Sequence, residues 1–330
     1  MITNYIHLIF ASWLIIAGQE LALCDQNYSS NQNEIPSARS GYAIAYDANR
    51  DVVILFGGQD SASKKLGDTW EWFKGTWKRI NIKGPSSRIN STMTYDAEAK
   101  SVLIFGGLTD SGYQNDLWAY DGKSWEKLTI SSSPPARQLA TMVFDKKQSQ
   151  LVLFGGMDIN RNPMGDTWTM KNNKWKKINI EGPSPRATHS MTYNDDLGTI
   201  FLYGGYDTTI LNDLWELKDG NWISLNTKDG PFRCHASISY DQSKKRMLVF
   251  GGFGNEGRTN ELWQYSNNKW LLIKAKEVIV PDPRAEHESV FIPGAGLFIF
   301  GGVIGIDPDT RNRGNDTWLY NEESWKKLNE

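Results

Sequence analysis

Side chains capable of nucleophilic, acid–base or metal chemistry are few in this sequence and sit far apart. Cys234 precedes His235, but adjacent residues of a strand point to opposite faces, so the pair reads as a packed free thiol rather than a nucleophile with its base. His189 and His287 each stand three residues after an arginine. His235 stands two after Arg233 and should face the other way, which argues against a three-histidine metal site. No G-x-S-x-G, H-E-x-x-H or phosphate-binding glycine loop occurs. What remains is a polar set in two groups. Asp60, Asp110, Asp158, Asp207 and Asn255 each follow a Gly-Gly pair, and Asn90, Thr188, His235 and Glu286 lie just past arginines. An Asp after Gly-Gly either initiates a turn through its own backbone or belongs to an acidic rim for a cation, an amine or a polyhydroxylated sugar. Proton transfer on a sugar would fall to Glu286, with Arg258 from the loop of the preceding repeat.

These residues are positioned by a repeat. Gly-Gly pairs begin at 57, 106, 155, 204, 251 and 301; arginines at 39, 88, 137, 186, 233 and 284 keep the same beat. Trp70, Trp118, Trp168, Trp215, Trp263 and Trp318 each have a second tryptophan seven residues later, which accounts for twelve of the fourteen tryptophans. An acid stands two residues before each first Trp (Asp68, Asp116, Asp166, Asp213, Glu261, Asp316), in equal number and fixed register with the arginines. That register predicts one structural Arg–acid pair per repeat, and the Trp pairs are expected to pack between repeats.

Each repeat reads as four short strands. Continuous apolar runs such as Val52–Phe56 and Leu151–Phe154 signal strands buried on both faces, and Gly-Gly breaks each run. Tight turns such as Asp121-Gly122-Lys123 join the Trp strands, and no segment has a helical period. A sheet of about 49 residues, apolar on both faces, needs a like neighbour on each side, and radial repetition supplies it. The chain is therefore expected to be all-β: a six-bladed propeller with four antiparallel strands per blade, in repeats of about 36–84, 85–133, 134–182, 183–230, 231–280 and 281–330. The frame leaves no stray strand to complete a blade shared between the termini, so closure rests on packing of blade six against blade one.

The combination of P-x-x-R, aromatic-Asp, hydrophobic-FGG, N-D-x-W and a Trp seven later resembles kelch repeats across residues 36–330. Asn194, Ile292-Pro293 and Glu261 depart from the pattern. The resemblance implies a β-propeller, and kelch-type propellers commonly bind ligands at the end where the first strand enters and the second leaves. Both polar groups above fall at that end. The copper-oxidase branch of these propellers needs a Cys cross-linked to Tyr plus two His ligands, a set not matched here, so no metal and no cofactor is expected.

Ile6 to Ala17 is an apolar run of twelve, short for a membrane span and suited to a signal peptide cut after Cys24. An uncleaved anchor and lipid attachment at Cys24 are the rival readings. Residues 25–35 form a polar lead-in. Thirty-six basic and 38 acidic residues give a net charge of −2 without a basic block, which excludes a nucleic-acid partner. The chain is thus expected to be a secreted, periplasmic or cell-surface monomer with no membrane span when mature. It would act as a non-catalytic scaffold for a protein or glycan, with a sugar epimerase resembling the sialic acid mutarotases as the alternative.

Overall fold

The computed structural model describes residues 34–329 except 228, 276–278, 308, 322 and 323. The proposed signal segment and Cys24 lie outside the described residues. All regular structure described is strand or turn; no helix occurs among the described residues. Six antiparallel sheets of four blade strands follow one another, each with those strands in chain order, and the sixth also takes in the short strand Arg284–Ala285. The first runs Ala43–Asp47, Val52–Phe56, Thr69–Phe73 and Thr76–Ile80, and the last runs Glu288–Ile292, Gly296–Ile304, Arg313–Asn321 and Ser324–Lys327. Each second strand is the buried centre of its sheet: Val53, Ile54, Leu55 and Phe56 have no exposed surface, nor have Leu297, Phe298, Ile299 and Phe300.

The innermost strand of every sheet packs against the innermost strands of the two flanking sheets, and that of the sixth packs against that of the first. The molecule is a closed six-bladed propeller. Apolar clusters lie between blades, for example Phe105, Leu117 and Met142 with Trp175 between blades two and three. A sheet buried on both faces is thereby shielded on both.

The Gly-Gly pair makes the blades fit. A Cβ on the first glycine would lie 2.8 Å from the carbonyl oxygen of Arg137 at Gly106, and 2.9 Å from that of Arg39 at Gly301. Both glycines have positive φ, and the second donates to the following blade's Arg carbonyl, as Gly107 does to Arg137 at 2.9 Å.

Closure uses packing, side chains and one backbone bond, Gly41 N to Glu286 O at 3.1 Å. Tyr42 Oη donates to the Phe300 carbonyl and accepts from Glu288 N at 3.1 Å. Trp77 Nε1 donates to Thr317 Oγ1 at 3.0 Å, and the Trp77 ring meets Phe298 and Phe300. Arg313 Nε reaches Ser40 Oγ at 3.1 Å, and its Nη2 reaches Gln59 Oε1 at 3.0 Å.

Both tryptophans of a repeat pack against the clusters between blades, Trp118, Trp168, Trp215, Trp263 and Trp318 among the first of each pair, but they differ in burial. The second packs between blades and is buried in all six. The first is only half-buried in blades two to five, and its indole N–H goes to the acid two residues earlier.

Candidate functional site at the axial mouth

The repeated polar residues are consumed by architecture. Arg137 Nη1 donates to Asp166 Oδ1 at 2.7 Å and to the Gly155 carbonyl at 2.9 Å, while Nη2 donates to Asp166 Oδ2 at 2.9 Å. Trp168 Nε1 completes the cluster at 2.6 Å from Asp166 Oδ2. The same arrangement holds for Arg39–Asp68, Arg88–Asp116, Arg186–Asp213 and Arg284–Asp316. Burial opposes ionisation of Asp68, Asp116, Asp166 and Asp316, but the paired arginine's hydrogen bonds and charge outweigh it and hold these carboxyls below the usual range.

Two residues past each arginine the chain takes a left-handed turn: Gly41, Asn90, Leu139, Thr188, His235 and Glu286 all have φ between 53° and 61°. Their amides form a closed circle. Asn90 N donates to Gly41 O at 2.7 Å, Leu139 to Asn90 at 2.9 Å, Thr188 to Leu139 at 3.3 Å, His235 to Thr188 at 3.0 Å, Glu286 to His235 at 3.3 Å and Gly41 to Glu286 at 3.1 Å. The backbone repeats six times around the axis, and the side chains it carries do not. Five of the six are not glycine, although the left-handed region disfavours side chains.

This ring lines a small funnel of about 60 Å³, below which a channel of about 290 Å³ runs between the inner strands. The structure thus brings together Asn90, His235 and Glu286. Glu286 Oε2 accepts from Ser40 Oγ at 2.9 Å, and Asn90 Nδ2 donates to Gln138 Oε1 at 3.0 Å. Burial lowers the pKa of His235 and so favours the neutral ring, against the opposing pull of Glu286.

The rim group is placed differently. Asp60 Oδ1 accepts from the amides of Ala62 and Lys64, and Asp158 Oδ1 from those of Asn160 and Asn162. Asp207 caps Thr208 and Thr209 in the same way. Asp110 pairs with Lys65 Nζ at 2.7 Å, and Asn255 sits in the two-residue turn between Phe253–Gly254 and Gly257–Arg258. None of the five lines the funnel or the channel. Arg258 is buried and spends its guanidinium on the carbonyls of Gly305, Asp307 and Thr310, clamping the blade-six loop.

The sequence matches the KLHDC2/KLHL20/DRC7 Kelch-repeats domain over residues 26–182, 121–229 and 167–330, which together span nearly the whole chain. The chain belongs to the kelch-repeat family. A solved structure of YjhT superposes with a TM-score of 0.70 at 16% identity, covering 91% of this chain and 100% of that one, a likeness of fold. No curated protein matches it significantly.

Against the kelch pattern, blade five is the exception. Glu261 replaces Asp, and its extra methylene displaces the guanidinium: Arg233 reaches Glu261 with Nη2 alone and turns Nη1 to the Phe232 carbonyl. The kelch histidines His189 and His287 pack edge-on against Phe154 and Phe250. Burial, with the charge of Arg186 or Arg284, pushes both down to about 3, so they are neutral packing groups. Burial also pushes the Cys234 thiol up to about 11. Among the described residues no group of His, Cys, Asp and Glu could hold a metal, and no helix is long and apolar enough to cross a membrane.

One site residue escaped the sequence reading. Glu288 lies on the innermost strand of blade six, lines both funnel and channel, and is exposed to them. Enclosure by the surrounding blades opposes the ionised form and pushes its carboxyl up to about 7. Aligning the six arginines places Glu288 against Ala43, Thr92, Thr141, Ser190 and Ser237, a lone charge among small residues.

Proposed function

We propose that this kelch propeller is an exported, monomeric binding module that receives a protein or glycan ligand at its axial mouth and loop-rich face without turning it over. One observation carries the reading. The six-fold backbone ring is uniform, the conserved-in-repeat polar residues are occupied, and the mouth presents a non-repeating set of Asn90, Leu139, Thr188, His235 and Glu286. Variation where the fold asks only for a left-handed turn supports selection by a ligand. The carboxylate of Glu286 and the neutral His235 favour a neutral or cationic group over an anionic one. Export rests on the apolar run at Ile6–Ala17.

The test combines a glycan array with pull-down from the surroundings of the producing cell, using the wild type, Asn90→Ala and Glu286→Ala. Ligand capture that both variants lose supports the reading. Capture that both retain in full places the ligand elsewhere and sinks it.

A second reading, a sugar epimerase resembling the sialic acid mutarotases, is favoured by two carboxyls two residues apart at the funnel, Glu286 in the left-handed turn and Glu288 at the start of the inner strand. Exchange of anomers followed by NMR, lost in Glu286→Gln with unchanged melting temperature, would establish it. Unchanged exchange would remove Glu286 from that role.

A further inference from the structure

The layer of the inner strands that holds Glu288 is a stitching layer. Thr92 Oγ1 accepts from Met142 N at 2.8 Å, and Thr141 Oγ1 donates to the His189 carbonyl at 2.9 Å. Ser190 Oγ donates to the Ala236 carbonyl, and Ser237 Oγ bonds His287 Nε2 at 3.0 Å. At four of the six seams, then, the side chain in this layer ties its blade to the next. At the seam between blades six and one Tyr42 Oη performs the tie, bonding the Phe300 carbonyl and the Glu288 amide. The Glu288 carboxyl is therefore spared for the channel. Neither a salt bridge nor a side-chain hydrogen bond to it occurs among the described residues, and it is the one charged group of its layer.

The groups facing it are few. Blade one contributes Tyr42, whose phenol burial keeps un-ionised; its own strand and entry contribute Glu286 and neutral His287. Blade five contributes neutral His235, and the adjoining strand Gly296–Ile304 contains no ionisable residue. Lys146 and Asp195 line the same channel, but among the described residues no cation pairs with Glu288 and no side-chain donor bonds its carboxyl.

We propose that Glu288 is the principal hydrogen-bond acceptor of the axial site, taking vicinal hydroxyls of an uncharged sugar that enters through the funnel. This rests on the reading of the mouth as the ligand site and adds the ligand's chemical class. Two hydroxyl donors would supply the charge-assisted hydrogen bonds that the protein withholds. Because such a ligand favours the ionised carboxyl, it lowers the pKa of Glu288, and by linkage it binds more tightly as pH rises through 7. An amine would serve the same acceptor through its N–H groups, and the test separates the two.

The full chain is treated with a water-soluble carbodiimide and glycinamide at pH 6.8, and labelled peptides are quantified by mass spectrometry. Carbodiimides attack the protonated carboxyl, so Glu288 should label well ahead of exposed Asp110. Labelling no faster than Asp110 overturns the proposal, because a carboxyl that is either fully ionised or unreachable cannot play this part. Free galactose, glucose and N-acetylglucosamine, with ethanolamine as the amine probe, are then titrated by saturation-transfer NMR at pH 5.5 and 8.5. A sugar bound roughly tenfold more tightly at pH 8.5, with Glu288→Gln weaker and independent of pH, supports the proposal. An equal pH response in Glu288→Gln overturns it while leaving the mouth reading intact, provided Asn90→Ala still loses the sugar. Binding of ethanolamine alone, or of none of the four, overturns the sugar assignment. Pull-down with the mouth variants then decides the broader reading separately.

Discussion

Replacing Asp166 by Ala should strand a guanidinium with no surface exposure. Arg137 would lose two hydrogen bonds, at 2.7 and 2.9 Å, and Trp168 Nε1 would lose its acceptor at 2.6 Å. The Gly155 carbonyl remains a partner but carries no compensating charge. Breaking a buried pair from one side costs about 3–5 kcal/mol. For a cooperative domain of roughly 300 residues that lowers the melting temperature by about 5–8 °C. Blade five supplies the internal control. Arg233 is 13% exposed and Glu261 39%, the geometry is single-handed, and water can replace the lost partner, so Glu261→Ala should cost at most about 1–2 kcal/mol. Calorimetry of both variants at pH 7 is the assay. The Asp166 carboxyl is held below its usual range in the fold, so its contribution is present above about pH 4 and disappears as pH falls through the folded value. The difference between Asp166→Ala and wild type should shrink accordingly in acid. Equal losses in the two variants at pH 7 would refute the claim that burial and two-armed geometry set the strength of these pairs.

Other outcomes follow from the same contacts. Thr69→Val removes the acceptor of Trp125 Nε1, which is 2.9 Å away and buried, and should cost about 1–3 kcal/mol in urea unfolding; no loss would show that a buried indole N–H tolerates an apolar neighbour here. Such neighbours already face Trp175 and Trp270, where Leu117 and Leu214 occupy the equivalent place and the indole N–H has no partner. The pKa of Glu288 is raised on folding, so its favourable term is whole below about pH 4.5 and lost as pH rises through about 7. Glu288→Gln should therefore gain stability relative to wild type between pH 5 and 8 and match it at pH 4, and a constant offset across that range would contradict the assignment. Buried His189 works in the opposite sense: its neutral form contributes above about pH 6.5, and stability drains as pH falls towards 3. His189→Asn should flatten that acid slope in pH-resolved unfolding curves.

The architecture was legible because each element is specified six times. The apolar run before Gly-Gly marks the buried second strand, and the register of Arg39 with Asp68 through Arg284 with Asp316 marks a pair that the structure forms in every blade. What the repeat conceals is anything done by one copy. The amide circle arises from backbone conformation at residues of six different types, so no residue pattern announces it. The difference in burial between the two tryptophans depends on strand position, the first on the third strand and the second on the outer fourth, and identical spacing cannot distinguish them. Glu288 was hidden by its position after the histidine that drew attention. Its signal was contrast with Ala43, Thr92, Thr141, Ser190 and Ser237, visible only when the copies are stacked. Asn90, His235 and Glu286 were found at the mouth because strand direction fixes which end they occupy, whereas Asp60, Asp158 and Asp207 share that end and spend their carboxylates on turns, an Asx outcome that composition leaves open.

The ring itself is tested most directly by amide hydrogen exchange on the full chain, resolved at residues 41, 90, 139, 188, 235 and 286. A closed circle of hydrogen bonds predicts that all six amides exchange slowly and together, at the rate of global unfolding. Fast exchange at Gly41 while the other five stay protected would mean that the seam between blades six and one, which the Gly41 amide alone of the six crosses, stands open, and that the mouth described above does not exist as a single site.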